Sequence, residues 1–147
     1  MSQDAVAKLW ARSQAEPFRQ KMGLEVIEIS PGYAKVAMDF TPELTNIFGM
    51  LHGGAVFSLL DEAFQLACNG HGQVAVALQL NINYLAPAEP GARLFAEARE
   101  INATRRTALY DARVWQEDGR GIAAGQALAY RIGRPLPLDD QGRLISS

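Results

Sequence analysis

Residues 46–69, NIFGMLHGGAVFSLLDEAFQLACN, decide how the rest of the chain is read. At about 100° per residue, Val56, Leu59, Leu60, Ala63, Phe64 and Ala67 spread over more than half of a helical circumference. That pattern predicts a helix over residues 52–69 that is buried inside a fold. The polar strip left over is narrow: Gly54, Ser58, Asp61 and Gln65, with Glu62 and Asn69 beside it. Asp61 stands at the edge of the strip, next to the arc that holds Phe57, Phe64 and Cys68. Glu62 lies about 100° further round, nearer the strip's centre, where solvent or an ion pair with a second subunit is the expected neighbour. A carboxylate partly withdrawn from water has its pKa raised, toward the range in which it serves as a base. Asp61 is therefore the candidate reactive group, and Glu62 the bystander.

His52-Gly53-Gly54 opens the helix. The first N–H groups of a helix have no acceptor within it and sit at the positive end of its dipole, so they attract an anion or a polarised carbonyl. With no Cβ at 53 and 54, a ligand oxygen can reach those donors, which is the layout of an oxyanion hole built from main chain. Glycine pairs also open helices that bind nothing, so the turn needs a second group to make it a site. Gly53 and Asp61 are eight residues apart, roughly 12 Å along a helix. No single carbonyl carbon touches both. If both serve one reaction, Asp61 of one subunit faces Gly53 of another across a twofold axis, and the protein is at least a homodimer with two identical sites.

With 147 residues, 48% hydrophobic and 20% charged, the chain is the size of one globular domain. A net charge of −2 argues against nucleic acid as the main partner. The first residues carry acids and no unbroken apolar run, so neither a signal peptide nor a membrane span is expected, and the location read from this is cytoplasmic. The single cysteine, Cys68, allows no internal disulfide and reads as a small buried hydrophobe, while two histidines, His52 and His71, give no metal-ligand spacing.

In chain order, Val6, Leu9 and Trp10 mark a helix over residues 4–16 that Pro17 ends or restarts, a lid or packing segment. Residues 24–29 and 33–40 form a hairpin about Pro31-Gly32, with Ala34, Val36, Met38 and Phe40 on one face. Asn46 sits in the loop before the helix, where asparagine commonly satisfies nearby backbone groups. Residues 69–72 stop the helix with a left-handed glycine, and His71 reads as a solvated loop residue. Residues 74–84 alternate as one long half-buried strand; its polar side, with Gln79, Asn81 and Asn83, is either exposed or lines a site between subunits. Strands follow over 92–101, 107–116 and 121–131, and Ala123, Gly125, Ala127 and Ala129 in the last would let the sheet approach the helix closely. The tail, RPLPLDDQGRLISS, reads as a loose surface strap. A hairpin, one helix and then long antiparallel strands make an α+β fold, a curved sheet around a helix.

Asn46, the His52-Gly53-Gly54 turn, Asp61, and the run Asn81-Ile82-Asn83-Tyr84-Leu85-Ala86-Pro87 together resemble the hotdog-fold acyl-CoA thioesterases of the phenylacetate-degradation type. The resemblance covers residues 20–132. It implies a long central helix wrapped by an antiparallel sheet of five to six strands, with residues 1–22 a helical preface, 23–132 the domain and 133–147 a tail. It also implies that the Gly53 N–H polarises the thioester carbonyl, that Asp61 of the neighbouring subunit attacks it or activates water, and that Asn46 and His52 support the carbonyl end. The implied assembly is a homodimer or a dimer of dimers, and the implied chemistry uses no metal or redox cofactor. Two departures stand out: Glu62 directly after Asp61, and Ala77 where some relatives carry a hydroxyl residue. Candidate substrate contacts are Gly54, Phe48, Phe57 and Tyr84 for an aromatic or medium-chain acyl group, Asn81 and Asn83 between subunits, and Arg105-Arg106-Thr107 for the phosphates of coenzyme A. Two other readings stay open: a non-catalytic acyl-CoA-binding or regulatory module, and a hotdog hydratase or dehydratase, whose His–acid pair does not map onto His52 and Asp61.

Overall fold

A computed structural model describes residues 2–146. Two short helices, α1 (Ser2–Gln14) and α2 (Pro17–Met22), precede the strands β1 (Glu25–Ser30) and β2 (Tyr33–Asp39); after the long helix α3 (Gly53–Asn69) come β3 (Gln73–Leu80), β4 (Asn83–Tyr84), β5 (Arg93–Ala103), β6 (Thr107–Gln116) and β7 (Gly121–Pro135). All strand pairs are antiparallel, in the order β1-β2-β5-β6-β7-β3, with the short β4 also on β7.

The α1–α2 break falls where Pro17 sets the first turn of a new helix, and α2 ends at Gly23, whose left-handed backbone (φ 68°) returns its N–H to the Arg19 and Gln20 carbonyls. In β2 and β5 the side chains alternate as a pleat requires. Ala34, Val36 and Met38 face inward opposite Ala98, Ala96 and Leu94, and Tyr110, Ala112 and Val114 of β6 continue the same face. Against it lie Leu59, Leu60, Ala63, Phe64 and Ala67 of α3, each at most 1% exposed, with Phe64 edge-on to Tyr110 at 5.6 Å between ring centres. Each large side chain withdrawn in this way contributes about 1.5–3 kcal/mol, so the α3–sheet contact is the core of the molecule. No helix among the described residues is long and apolar enough to cross a membrane.

Four details differ from the sequence reading. The long strand breaks after Leu80 into β3 and β4, which keep one register on β7 across the break, and within β3 the register shifts between Ala77 and Gln79. The shift interrupts strict alternation within β3, and Val76, Leu78 and Tyr84 are about half exposed instead of buried. Gly125 makes room for a backbone and not for the helix, since a Cβ there would stand 1.9 Å from the Asn81 carbonyl oxygen. Past α3 the left-handed glycine is Gly72 (φ 89°), whereas Gly70 stays in the right-handed helical region. The tail is also anchored: Leu138 is buried, bridges to Leu144, and Lys8 of α1 pairs with Asp140 at 3.5 Å.

Candidate active site

The head of α3 is built by three residues acting on backbone groups. His52 is the N-cap, with extended backbone (φ −64°, ψ 134°), and its Nδ1 accepts the Gly54 N–H at 2.8 Å. Because Nδ1 is an acceptor, the proton of the neutral ring sits on Nε2. The Ala55 N–H is taken by the His52 carbonyl at 2.9 Å. Gly53 N–H has no acceptor among the described residues. Of the glycine pair, then, Gly53 is the open donor and Gly54 is committed to the cap, which corrects the expectation that both reach a substrate.

Tyr84 closes the other side of Gly53. Its hydroxyl donates to the Gly53 carbonyl at 2.8 Å, and a Cβ on Gly53 would stand 3.1 Å from that hydroxyl oxygen. Upstream, Asn46 Oδ1 accepts the N–H groups of Phe48 (2.8 Å) and Met50 (3.1 Å), and the Asn46 N–H donates to the Met50 carbonyl at 2.7 Å. Asn46 thus ties the loop that delivers His52, as a loop asparagine is expected to do, and keeps its Nδ2 group without an acceptor among the described residues.

Beside Gly53 lies a cavity of about 370 Å³ lined by Met50, Leu51, Val56, Tyr84, Leu85 and Ile122 among others. Tyr84 is the one pocket residue named from sequence that lines it. Phe48 is 77% exposed at the tip of its loop, and Phe57 is half-buried on α3 away from the cavity wall. Leu85 and Ile122 carry no signal that marks a pocket: they meet only because the Leu85 N–H pairs with the Ile122 carbonyl at 2.8 Å.

Glu62 departs from the solvent-facing place read for it from the helical wheel, while Asp61 keeps the raised pKa read for it. Asp61 is exposed in the single chain, and Glu62 is buried, 4% exposed, with its Oε2 atom lacking a partner among the described residues. The physical reason is the turn between α1 and α2: Glu16 reaches Gln65 Nε2 (3.2 Å), which also bonds Glu62 Oε1 (3.4 Å), so the N-terminal segment covers the side of α3 that carries Glu62. Desolvation first, and then the facing Glu16 carboxylate, push the Glu62 pKa up from 4.5 to about 9. Asp61 is raised as well, by desolvation and then by Glu16.

Glu62 therefore holds its proton in the fold at pH values where the unfolded chain has lost it. Between about pH 4.5 and 9 the folded state binds the extra proton, and stability falls with rising pH by up to about 1.4 kcal/mol per unit. Glu62→Gln removes that dependence. Its Tm is expected to exceed the parent's by several degrees at pH 8, with the gap closing toward pH 5; melting curves at the two pH values check this, and a gap independent of pH would contradict it.

The remaining candidates are spread out. Arg105 and Arg106 are exposed at the β5–β6 turn, where Thr104 and Thr107 bond each other and Arg106 donates to the Tyr130 hydroxyl at 3.3 Å. Thr107 pairs with Tyr130 and Tyr84 with Ala123, seven residues along β7, so roughly 23 Å separates this cluster from Gly53's neighbour within one chain. Asn81 spends its side-chain oxygen on the Gln126 N–H (3.2 Å) as part of the strand break, and Asn83 is exposed on β4. Cys68 is buried, its thiol pushed up to about 12 by desolvation, as suits a packing residue. His71 is not merely solvated: its Nε2 lies 2.9 Å from Glu100, which also accepts from Tyr110 (3.0 Å) and Arg131 (3.4 Å).

The model of the thioesterase superfamily matches residues 48–123, which take in the α3 head, Asp61 and Tyr84. The acyl-coenzyme A thioesterase PaaI of Escherichia coli is 32% identical over 90% of this chain and 95% of its own length, and the solved structure of that protein, from the phenylacetic acid degradation operon, superposes with a TM-score of 0.82 at 30% identity over 89% and 98% of the two chains. The TT0310 protein of Thermus thermophilus is 39% identical over 80% of this chain and 98% of its own, with a TM-score of 0.76. The smu.793 protein of Streptococcus mutans, solved bound to acetyl CoA, is 26% identical over 76% and 90%, with a TM-score of 0.72. The chain belongs to the thioesterase superfamily, its fold is the hotdog fold, and by that membership it is a thioester hydrolase.

Proposed function

We propose that this protein hydrolyses an acyl-CoA thioester to the free acid and coenzyme A at a site completed by a second copy of the chain. The observation that carries the reading is the open Gly53 N–H at the positive end of α3, beside an apolar cavity, with the exposed carboxylate of that helix, Asp61, about 12 Å further on. The carbonyl oxygen accepts from Gly53 N–H, with the Asn46 Nδ2 and His52 Nε2 donors at the same end. Asp61 of the second copy either takes a proton from water as the water adds to the carbonyl, or itself adds and is released by water. The C–S bond breaks, the sulfur takes up the proton given by water so that coenzyme A leaves as the thiol, and water attacking the acyl carbon leaves its oxygen in the acid. No step calls on a metal or a redox cofactor, and a cytoplasmic setting is part of the reading.

The free edge of β3, with Val76 and Leu78 exposed, and the exposed Ile47 and Phe48 in the loop before α3 support a second copy, since they leave pairing groups and apolar surface uncovered in the single chain. The relatives support the substrate, because one is named an acyl-coenzyme A thioesterase and another was solved with acetyl CoA. A hydratase finds less support: His52 faces the Gly54 N–H instead of an acid, and the His–carboxylate contact among the described residues, His71–Glu100, stands beyond the far end of α3.

A panel of acyl-CoAs, short, medium-chain and phenylacetyl, assayed for free thiol tests the proposal. Release from at least one is expected; binding of all with release from none would make the protein a non-catalytic acyl-CoA module. In the same assay, changing Arg105 and Arg106 together to Ala is expected to raise KM for acyl-CoA several-fold while sparing a short acyl thiol without the nucleotide. Equal loss on both substrates would assign the pair to the fold.

A further inference from the structure

We propose that Tyr84 is a positioning and specificity-determining residue, which holds the first turn of α3 through the Gly53 carbonyl and walls a subsite for a compact apolar acyl group. This rests on the thioesterase reading above and extends it to the substrate. Tyr84 belongs to β4, the two-residue piece paired with Ala123 and Ala124 of β7. Its hydroxyl reaches the Gly53 carbonyl at 2.8 Å, and its ring end occupies the space that a Cβ on Gly53 would claim, at 3.1 and 3.2 Å. β4 keeps the register that the end of β3 has on β7, and the tyrosine lies against the helix head instead of joining the core, where it remains 55% exposed.

What enters the cavity follows from its lining. Apart from Tyr84, the side chains are aliphatic, methionine or proline, and the Tyr84 hydroxyl is already engaged by Gly53. The Leu85 and Ala86 N–H groups are engaged by the Ile122 carbonyl. The amides of a pantetheine arm would find no free polar side chain among this lining, whereas an acyl chain or a phenyl ring gives up only unfavourable hydration. At about 370 Å³ the space lies near the lower end of ligand cavities, so the group it takes is compact. The tyrosine ring forms part of the wall, and the hydroxyl sets where the wall stands relative to the Gly53 donor.

The two halves of the side chain therefore separate in experiment. Tyr84→Phe keeps the wall and loses the tie: kcat is expected to fall about 5- to 10-fold on every acyl-CoA hydrolysed, with KM nearly unchanged and the preference among acyl groups kept. Tyr84→Leu opens the wall, and the ratio of kcat/KM for phenylacetyl-CoA over acetyl-CoA is expected to change by about 10-fold or more. A purely structural role would lower all substrates together in both variants. Calorimetric binding of the matching ketone analogues, in which CH₂ replaces the thioester sulfur, reads the same ratio without turnover. If the parent hydrolyses no acyl-CoA, the thioesterase reading fails, but the Tyr84→Leu binding ratio still tests the subsite. Ratios equal to the parent's in that variant, by turnover or by ketone binding, would overturn the proposal, as would full parental kcat in Tyr84→Phe.

Discussion

Asp61→Asn is expected to fold, assemble and bind acyl-CoA like the parent and to lose about 10²-fold or more in kcat, the scale of a missing base or nucleophile. The amide is close in shape to the carboxylate but neither takes a proton from water nor attacks a carbonyl. Asp61 is exposed in the single chain, so a substrate held by a second copy can meet it, and its raised pKa moves it toward the useful range for a base. Glu62 has the more strongly shifted pKa but no access: it is buried beneath the α1–α2 turn and protonated near neutral pH. Glu62→Gln should thus stay within several-fold of the parent in turnover. Steady-state kinetics on the best acyl-CoA decides between them, and a collapse with Glu62→Gln beside a surviving Asp61→Asn would move the chemistry one residue along.

Gly53→Pro should remove the oxyanion donor with little harm to the helix. Proline is favoured at the first helical position, and it requires extended backbone in the residue before it, which His52 already has (φ −64°, ψ 134°). Gly53→Ala is the matched control, because it brings a Cβ to the same crowded spot, 3.1 Å from the Tyr84 hydroxyl oxygen, and keeps the N–H. The proline variant is expected to fall about 10²- to 10³-fold in kcat, the cost of losing one oxyanion-hole donor, and the alanine variant much less. Equal losses in the two would assign the effect to crowding at Tyr84 and not to the donor.

The central helix, the hairpin before it and the strands after it were legible because apolar periodicity carries each of them, and β2 and α3 begin within a residue of where the pattern puts them. The burial of Glu62 was not. A helical wheel tells which residues share a side, but what covers that side here is the α1–α2 turn, through the Glu16–Gln65–Glu62 contacts between segments far apart in sequence. The place of Tyr84 was hidden for a similar reason: its hydroxyl meets the Gly53 carbonyl, 31 residues away in sequence, whereas alternation alone predicts a buried strand residue. Asn46 and His52 lie at the head of α3, where the sequence places them, but their bonds to the Phe48, Met50 and Gly54 N–H groups show how they shape the turn, which spacing does not reveal.

The claim that each site joins Gly53 of one copy to Asp61 of another is tested most directly by mixing two inactive proteins. Asp61→Asn and Gly53→Pro subunits, allowed to exchange, form mixed dimers in which one site has both an intact Gly53 and an intact Asp61 while the other has neither. After complete exchange of equal amounts, about a quarter of the parental activity per site is expected to return. Exchange verified by mass spectrometry with no return of activity would contradict the shared site.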